Sequence, residues 1–434
     1  MIRQDRIGQE IYDFTSKCFP LNRYLMGDGV RKTFQYIKEI LPELNVCEVP
    51  SGTKAFDWTV PDEWVIRKAF IEDASGKKII DFEKNNLHVM AYSEPINVWL
   101  SKEELAKFVF WDEGNPNVIP YAASYYKPRV GMCMSKRQWD MLADDKYHIC
   151  IDSEKVKGSL TYGEIVYQGE MEDEILFHSV VCHPSLANDE LSGVTLATYL
   201  AREVGRMQKR RFTYRFVFAP ETIGAIVYIS SHLAQLKMNV KAGYILSCEG
   251  DDRSYSYLPS ISGQTLGDRA ARAVLNSLHP NYKSYSFLER GSDERQYNAP
   301  GIDIPVCLVC RSKAGTFPEY HTSSDNMNFV SPEGFAGSFD VFTDIIKLLE
   351  HNQRYKTAVM CEPHLTRYGL YSDLTKSGNK NPFKRVVDFL AYADGTRDLI
   401  EIMDILKMDV HEACDIIRKL STHHLITIVR DSHD

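Results

Sequence analysis

The sequence predicts an α/β fold, a sandwich in which helices cover both faces of a mainly parallel sheet. From about residue 157 to 350, short apolar runs rich in β-branched residues alternate with segments whose apolar residues recur at helical spacing. Alternating strands and helices are typical of parallel sheets. At 434 residues the chain is also too long for one compact core, so two or three domains are expected.

The part of the chain before the sandwich divides into a helical and a β-rich segment. Residues 1–55 carry amphipathic stretches at Ile7–Thr15 and Val30–Leu41, and we assign this segment to the sandwich together with residues 156–350. All 5 tryptophans fall between residues 56 and 155, among short β-rich runs and Pro, Gly and Asn turns. This composition predicts that residues 56–155 form an inserted, mostly β domain with its own aromatic core.

Four apolar runs and four amphipathic segments make up the core of the predicted sandwich. The predicted strands are Ile175–Cys182, Phe212–Ala219, Gly243–Cys248 and Ile304–Cys310. The predicted helices are Leu191–Met207, Ile223–Leu236, Arg269–Leu278 and Glu333–Glu350. In sheets of this kind ligands bind outside the carboxyl ends of the strands, so that edge is where a site is expected.

The pattern of helices and a strand in the last segment, residues 355–434, predicts a small winged-helix domain. Its predicted helices are Phe383–Tyr392, Leu399–Leu406 and Val410–Leu420, and a strand follows at Leu425–Val429. The charges of this segment nearly cancel, with 11 Lys and Arg against 12 Asp and Glu. Because DNA binding needs a cationic face that neutralises phosphates, we expect this domain to pack against the protein or a partner instead.

Composition narrows the classes of function. A net charge of −8 argues against nucleic acid as a general partner. No apolar run approaches the roughly 20 residues of a membrane span, and the N-terminus is polar without a signal-peptide core. The 10 cysteines follow no disulfide spacing, which fits reduced thiols in a cytoplasmic protein. We therefore expect no membrane or nucleic-acid partner, and we leave a homo-oligomer open.

Polar residues with metal-binding side chains follow the predicted strands. His183 ends the first strand and Asp189 stands where the next helix begins, while Glu221, the acids at 249–252 and His321 follow the later strands. Each has a structural alternative, since an aspartate before a helix is often an N-cap and a glutamate there favours the helix dipole. Convergence of all of them on one edge of the sheet predicts a metal site, because imidazole with carboxylate is a common zinc ligand set.

Four short motifs carry a resemblance to a known family. They are Asn188-Asp-Glu-Leu-Ser-Gly193, Pro220-Glu-Thr-Ile-Gly224, Gly291-Ser-Asp-Glu-Arg-Gln296 and Glu319-Tyr-His-Thr-Ser-Ser-Asp325. In this order they resemble the zinc-dependent aminopeptidases, and within that clan the branch with a β insert and a C-terminal winged helix. The resemblance implies an α/β/α sandwich of the zinc exopeptidase type.

The resemblance also implies a role for each of four residues. Asp189 holds the position of the carboxylate that bridges two zinc ions in the aminopeptidases, and His183 and His321 stand near the histidine of each zinc. Glu221 matches the first member of the family's Glu-Glu pair, the general base that activates water. These assignments make His183, Asp189 and His321 the expected metal ligands.

Two departures from the family pattern bear on the number of metal ions. The second member of the Glu-Glu pair, a zinc ligand in the family, is Thr222 here, and a hydroxyl is a poor zinc ligand. At the end of the next strand the family's aspartate ligand has no counterpart, unless Glu249 or Asp251 substitutes for it. We therefore expect one zinc ion per chain, with two possible if one of these acids is a ligand.

Substrate recognition is assigned to three further residues. Arg295 and Arg311 could each pair with a carboxylate in a bidentate manner, and Tyr320 beside His321 could donate to the tetrahedral intermediate. The alternative for each arginine is a structural ion pair, with Asp293 and Glu294 as obvious partners of Arg295.

These expectations lead to two hypotheses about function. The first is a zinc-dependent hydrolase of the exopeptidase type that cleaves a terminal amide bond of a small peptide or amino-acylated molecule, with Glu221 as general base. The rival is a catalytically degenerate peptidase fold that serves as a metal- or ligand-binding sensor or assembly module. Thr222 and the missing carboxylate favour the rival, whereas Glu221 beside all three metal ligands favours the enzyme.

Overall fold

The computed structural model of the protein describes residues 2–125, 127–370 and 382–429. The described chain divides into two compact units. One comprises the chain up to Gly263 together with Lys283–Phe339, and the other comprises Gln264–Tyr282 and the chain from Asp340 onward. Within the described residues, no helix combines the length and the apolar character that crossing a bilayer would require.

The first unit begins with two helices and then a β-rich segment. In chain order its elements are α1 Ile2–Cys18, α2 Asp28–Ile40, β1 Asn45–Pro50, β2 Lys54–Ala55, β3 Trp58–Thr59, β4 Glu63–Asp73, β5 Lys78–Asp81, β6 Ile96–Ser101, α3 Lys102–Leu105, β7 Val109–Phe110, β8 Met132–Cys133, α4 Lys136–Asp140 and β9 Lys146–Val156. Strands β5, β4, β9 and β6 form a separate antiparallel sheet in that order. The core beside it contains the buried Trp64, and Trp111 and Trp139 pack against this core.

The sandwich follows this segment. In chain order the elements continue with β10 Ser159–Tyr167, β11 Glu174–Val180, α5 Ser192–Gly205, β12 Thr213–Ala219, α6 Ile223–Asn239, β13 Val240–Leu246, β14 Ser256–Leu258, α7 Leu266–Leu278, β15 Lys283–Ser284, α8 Glu294–Tyr297, β16 Val306–Cys310 and α9 Pro332–His351. Of these, α7 and the end of α9 are grouped with the second unit. An 8-stranded sheet runs in the order β1-β10-β12-β11-β13-β16-β14-β15. Its central strands β12, β11, β13 and β16 are parallel, which confirms the predicted α/β class.

The four predicted strands correspond to these four central strands. They are buried along their whole length except for one residue of β13, so no polar alternation interrupts their apolar runs. Strands β1, β10 and β14 join the sheet in antiparallel pairs and were not predicted. The sheet is therefore mixed, with a parallel centre and antiparallel neighbours.

The second unit contains helix α7 and the elements after α9. These elements are β17 Arg354–Thr357, α10 Pro382–Tyr392, β18 Asp394–Asp398, α11 Leu399–Leu406, α12 Val410–Thr422 and β19 Ile426–Val429. The strands form an antiparallel sheet in the order β18-β17-β19. Three helices and a small sheet confirm the predicted winged-helix class. The predicted segment also includes residues 371–381 and 430–434, which lie outside the described residues.

A buried ion pair joins three neighbouring strands of the large sheet. Arg215 on β12 donates from Nε and Nη2 to the two carboxylate oxygens of Glu174 on β11, at 2.7 and 2.9 Å. Its Nη1 donates to Glu164 on β10 at 2.8 Å. The side chains of Arg215 and Glu174 are each only 3% exposed, so neither charge has water as an alternative partner.

Replacing Arg215 with Met should destabilise the first unit by about 3–5 kcal/mol, because the carboxylate of Glu174 would stay buried without its partner. Denaturant unfolding followed by fluorescence measures this change. The matched control is Arg67→Met, which removes the half-exposed ion pairs of Arg67 with Asp152 and Glu154 and should cost under about 1 kcal/mol. Equal losses for the two variants would contradict the importance of the buried pair.

Candidate metal centre and active site

The candidate site lies at the carboxyl ends of the parallel strands, as expected for an open α/β sheet. His183 follows β11, and Asp189 lies in the tight turn Ala187–Leu191 that precedes α5. Glu221 lies between β12 and α6, and His321 lies in the long loop after β16. The sheet thus brings residues far apart in the chain to one place.

The structure brings together the three predicted metal ligands. One ligand atom from each of His183, Asp189 and His321 lies within 4.8 Å of the others. The Oδ2 atom of Asp189 lies 3.1 Å from Nε2 of His321, but it is buried and has no well-aligned hydrogen-bond donor among the described residues. Buried carboxylate oxygens normally accept a hydrogen bond. A cation held between Asp189 and His321 would explain why this oxygen has no well-aligned donor in the described part of the chain.

The charge state of Asp189 also fits a metal ligand. Burial acts to raise the pKa of Asp189, but the neighbouring imidazoles of His321 and His183 outweigh it and hold the pKa below its ordinary value. The thiol of Cys248 lies 3.8 Å from the other oxygen, Oδ1, and burial raises the pKa of that thiol. Asp189 is therefore an ionised carboxylate with one oxygen available for a metal ion.

One buried carboxylate fixes the two loops that carry Asp189 and His321. Asp325 accepts hydrogen bonds from the backbone N–H groups of Asn188 at 2.6 Å and Asp189 at 2.8 Å. The carbonyl of Asp325 accepts a further hydrogen bond from the N–H of Ala187 at 3.1 Å. Because Asp325 is four positions after His321, this contact sets where the two ligands meet.

The structure gives different surroundings to Glu249 and Asp251, the two acids considered as further ligands. Both oxygens of Asp251 accept hydrogen bonds, from Ser312 and Arg253 and from the side chain of Asn188. Glu249 is buried, and neither acid belongs to the described groups whose ligand atoms converge. The three predicted ligands thus form a complete set without either acid. A second group, Cys182, His183, Glu190 and Glu221, also brings its ligand atoms within 4.8 Å of one another and shares His183 with the first.

A residue that the sequence analysis missed is Glu190. Its Oε2 lies 2.8 Å from Nδ1 of His183, and both side chains are buried. Burial and the neighbouring Asp189 raise the pKa of Glu190 well above its ordinary value. A carboxylate on one ring nitrogen orients a histidine so that the other nitrogen can bind a metal. The sequence feature that could have identified Glu190 is its position directly after the predicted ligand Asp189.

Glu221 is held by a chain of buried polar contacts. The next residue, Thr222, has a φ of 63° and donates its N–H to Oδ1 of Asp293 at 2.8 Å. Oδ2 of Asp293 lies 3.1 Å from Nε2 of His178, whose Nδ1 lies 3.0 Å from the hydroxyl of Tyr297. A threonine at positive φ costs free energy and persists only where its surroundings fix it. This network therefore fixes the backbone that carries Glu221.

The pKa of Glu221 suits a proton acceptor. Burial raises the pKa of Glu221 well above its ordinary value, and the nearby carboxylate of Glu190 adds to the shift. A carboxylate with a raised pKa binds a proton more strongly, which general base catalysis near neutral pH requires.

The three predicted substrate residues lie in different surroundings. Arg295 lines the cavity beside Glu221. Tyr320 is not among the described residues that line the cavity, but it stacks on His321, which does line it, with ring centroids 3.9 Å apart. Arg311 is buried, donates from Nε to the carbonyl of Asp251 at 2.6 Å and lies over the ring of Tyr255. The structure thus does not bring Arg311 to the cavity, because its guanidinium is used to hold the loop after β13.

Residues of the predicted insert form one wall of the site. A cavity of about 790 Å³ contains His183, Glu221 and His321 and is closed on one side by Tyr92, Tyr121 and Tyr125. The N–H of Tyr121 donates to the carbonyl of His321 at 2.8 Å, and its ring lies 5.2 and 5.1 Å from the imidazoles of His183 and His321. The insert therefore shapes the space directly above the predicted metal ligands.

Comparison with known proteins identifies relatives over nearly the whole chain. A family model described as "Domain of unknown function (DUF4910)" matches residues 12–352, and a winged helix-turn-helix model matches residues 353–428. A protein of Clostridium acetobutylicum named "Putative polysaccharide biosynthesis protein with aminopeptidase-like domain" is 41% identical over 398 residues, 91% of either chain. The crystal structure of a "putative peptidase" from Clostridium acetobutylicum is 38% identical, covers 98% of this chain and 97% of its own, and has a TM-score of 0.91.

More distant solved structures share the fold. A zinc aminopeptidase from Bacillus subtilis has a TM-score of 0.57 at 15% identity, over 78% of this chain and 94% of its own. A peptidase M28 precursor from Shewanella amazonensis has a TM-score of 0.55 at 11% identity, over 83% of this chain and 98% of its own. These findings confirm the resemblance to the zinc aminopeptidases at the level of fold.

Replacing Glu190 with Gln should weaken zinc binding by about 10- to 100-fold, because the carboxylate that orients His183 is removed. Competition with a chromogenic chelator measures the affinity. The control is Glu72→Gln, which breaks a histidine–carboxylate contact of the same length, Glu72 with His148 at 2.8 Å, among residues that do not line the cavity. Unchanged zinc affinity in Glu190→Gln would contradict the orienting role.

Proposed function

We propose that this chain, which belongs to the DUF4910 family, is a zinc-dependent hydrolase that cleaves a terminal amide bond of a small peptide or amino-acylated molecule. The observation that carries the proposal is the convergence of His183, Asp189 and His321 beside Glu221 in one cavity. The fold of the zinc aminopeptidases supports hydrolase chemistry of the exopeptidase type. Because one fold can host many functions, the proposal depends on the residues of the site and not on the fold alone.

The proposed metal ligands are His183, Asp189 and His321. Two imidazoles and one carboxylate are a usual protein ligand set for catalytic zinc. Oδ2 of Asp189, which lies 3.1 Å from Nε2 of His321 without a well-aligned hydrogen bond among the described residues, fits this set. When bound there, zinc would polarise the scissile carbonyl and lower the pKa of a water molecule to about 7. Glu190 and Asp325 would keep His183 and Asp189 oriented for this task.

The proton transfers are assigned to Glu221. Its carboxylate would accept a proton from the attacking water and return it to the leaving amine, and its raised pKa supports both steps. Tyr320, which stacks on His321, is the residue that we assign as donor to the oxyanion that develops in the transition state. Arg311 has no part in this scheme because its guanidinium is engaged in the protein interior.

One observation favours the rival function, a catalytically degenerate binding module. The hydroxyl of Thr222, where the resemblance places a zinc ligand, accepts a hydrogen bond from Arg295 at 2.6 Å. A guanidinium therefore lies where an additional metal ion would need a carboxylate. The hydrolase remains the better supported function because the base and one set of metal ligands are retained.

Replacing Glu221 with Gln should leave zinc binding intact and lower hydrolysis by about 100- to 10,000-fold, the contribution typical of a general base. Release of free amine from zinc-loaded protein with dipeptides, amino-acid amides and N-acetylated amino acids measures the activity. Wild-type activity in Glu221→Gln would contradict the assigned base. A zinc-loaded wild-type protein that cleaves none of these substrates would support the binding module.

A further inference from the structure

We infer that the site selects substrates with a free carboxylate next to the scissile amide, and that Arg295 binds this carboxylate. The inference rests on the proposed hydrolase and adds the side of the bond from which the substrate is recognised. It predicts an N-acylated amino acid, or the carboxyl-terminal residue of a short peptide, as the group bound in the cavity.

The acidic neighbours of Arg295 in the sequence do not neutralise it. Asp293 is fully buried and contacts the N–H of Thr222 and the imidazole of His178. Glu294 accepts hydrogen bonds from the N–H groups of Gly291 and Ser292. Ion pairs of Arg295 with Asp293 and Glu294 are therefore not formed. The ion pair that Arg295 does form is with Glu221 in the cavity, with 3.5 Å between Nη2 and Oε1, which uses only one donor of the guanidinium.

Arg295 keeps unused hydrogen-bonding capacity at the cavity. Its Nη2 donates to Thr222 and lies 3.5 Å from Oε1 of Glu221. Its Nε is buried and has no hydrogen-bond partner among the described residues. A guanidinium offers five N–H donors in a planar fork that matches a carboxylate. A threonine at position 222 holds the fork without cancelling its charge, whereas a glutamate there would compete with a substrate carboxylate.

The acids Asp57 and Glu221 also line the cavity, so the preference for a carboxylate over an ammonium group is local to Arg295. Arg295 is the one arginine or lysine among the described residues that line the cavity. Because Arg295 contacts Thr222 and lies near Glu221, a group bound to it would be close to the reacting carbonyl. A substrate ammonium in that place would be repelled by the guanidinium. Recognition of a substrate ammonium at Arg295 is therefore disfavoured.

The rest of the cavity provides contacts for the remainder of such a substrate. The hydroxyl of Tyr92 is buried and has no hydrogen-bond partner among the described residues, although Tyr92 lines the cavity. The cavity is also lined by Trp58, Tyr121 and Ile223, which offer aromatic and apolar surface. A volume of about 790 Å³ is in the range of small-molecule sites, so one amino acid with its acyl group would fit.

The test compares three probes by calorimetry on zinc-loaded Glu221→Gln protein, so that binding is measured without turnover. The probes are N-acetyl-L-leucine, its carboxamide, and L-leucine amide, which has a free ammonium and no carboxylate. We expect N-acetyl-L-leucine to bind at least about 10-fold more tightly than either amide, as hydrogen bonds to a charged group typically provide. When Arg295→Gln is introduced into the Glu221→Gln protein, the preference for N-acetyl-L-leucine over its carboxamide should disappear. The affinity for the carboxamide should stay the same.

Controls separate the carboxylate site from general effects. Arg290→Gln removes an arginine that does not line the cavity and should keep the preference. Arg295→Lys keeps the positive charge but loses the planar pair of N–H donors, so it should keep only part of the preference for the carboxylate probe. A short peptide with a free carboxyl end, N-acetyl-alanyl-L-leucine, distinguishes a peptide terminus from an N-acylated amino acid as the better ligand.

The outcomes distinguish this inference from the proposed hydrolase. Equal affinity for all probes, or tightest binding of L-leucine amide, would overturn the carboxylate site. A wild-type enzyme that hydrolyses L-leucine amide but not N-acetyl-L-leucine would keep the hydrolase and overturn the inference. A carboxylate preference that depends on Arg295 in a protein without hydrolytic activity would keep the inference and overturn the hydrolase.

Discussion

The interaction on which the site depends is the set of hydrogen bonds that Asp325 makes to the turn before α5. Its carboxylate binds the N–H groups of Asn188 and Asp189, and the same loop carries His321 four residues earlier. A buried backbone N–H group without a partner costs free energy, so these contacts hold the turn in one position. They bring an imidazole and a carboxylate from distant parts of the chain within 3.1 Å of each other. The catalytic scheme and the substrate site both require this fixed meeting point.

The strands that could be predicted from the sequence are those in which every residue is buried. Strands such as β11 and β12 are buried throughout, and their apolar runs show in the sequence. Strand β10 was missed because it mixes Ser, Thr and Glu with Gly163, and a side chain at Gly163 would collide with Phe34. Its place in the sheet depends on this packing between distant residues, which a local sequence pattern does not record.

The site was predictable as far as strand ends and motifs identify it. His183, Asp189, Glu221 and His321 all follow or precede regular elements, and three of them do converge. Arg311 shows the limit of this reasoning, because closeness to a strand end does not tell in which direction a side chain points. The walls contributed by Tyr121 and its neighbours depend on pairing of the insert with the loop of His321, more than 190 positions away in the sequence.

The most direct test of the proposed site is the number of zinc ions per chain in protein purified without chelator. We expect about one zinc per wild-type chain and its loss in His183→Ala, Asp189→Ala and His321→Ala, each shown to be folded by circular dichroism. Two zinc ions per chain would mean that another acid, such as Glu249, completes a second site. No zinc, even after it is added back, would contradict the metal centre and the hydrolase built on it.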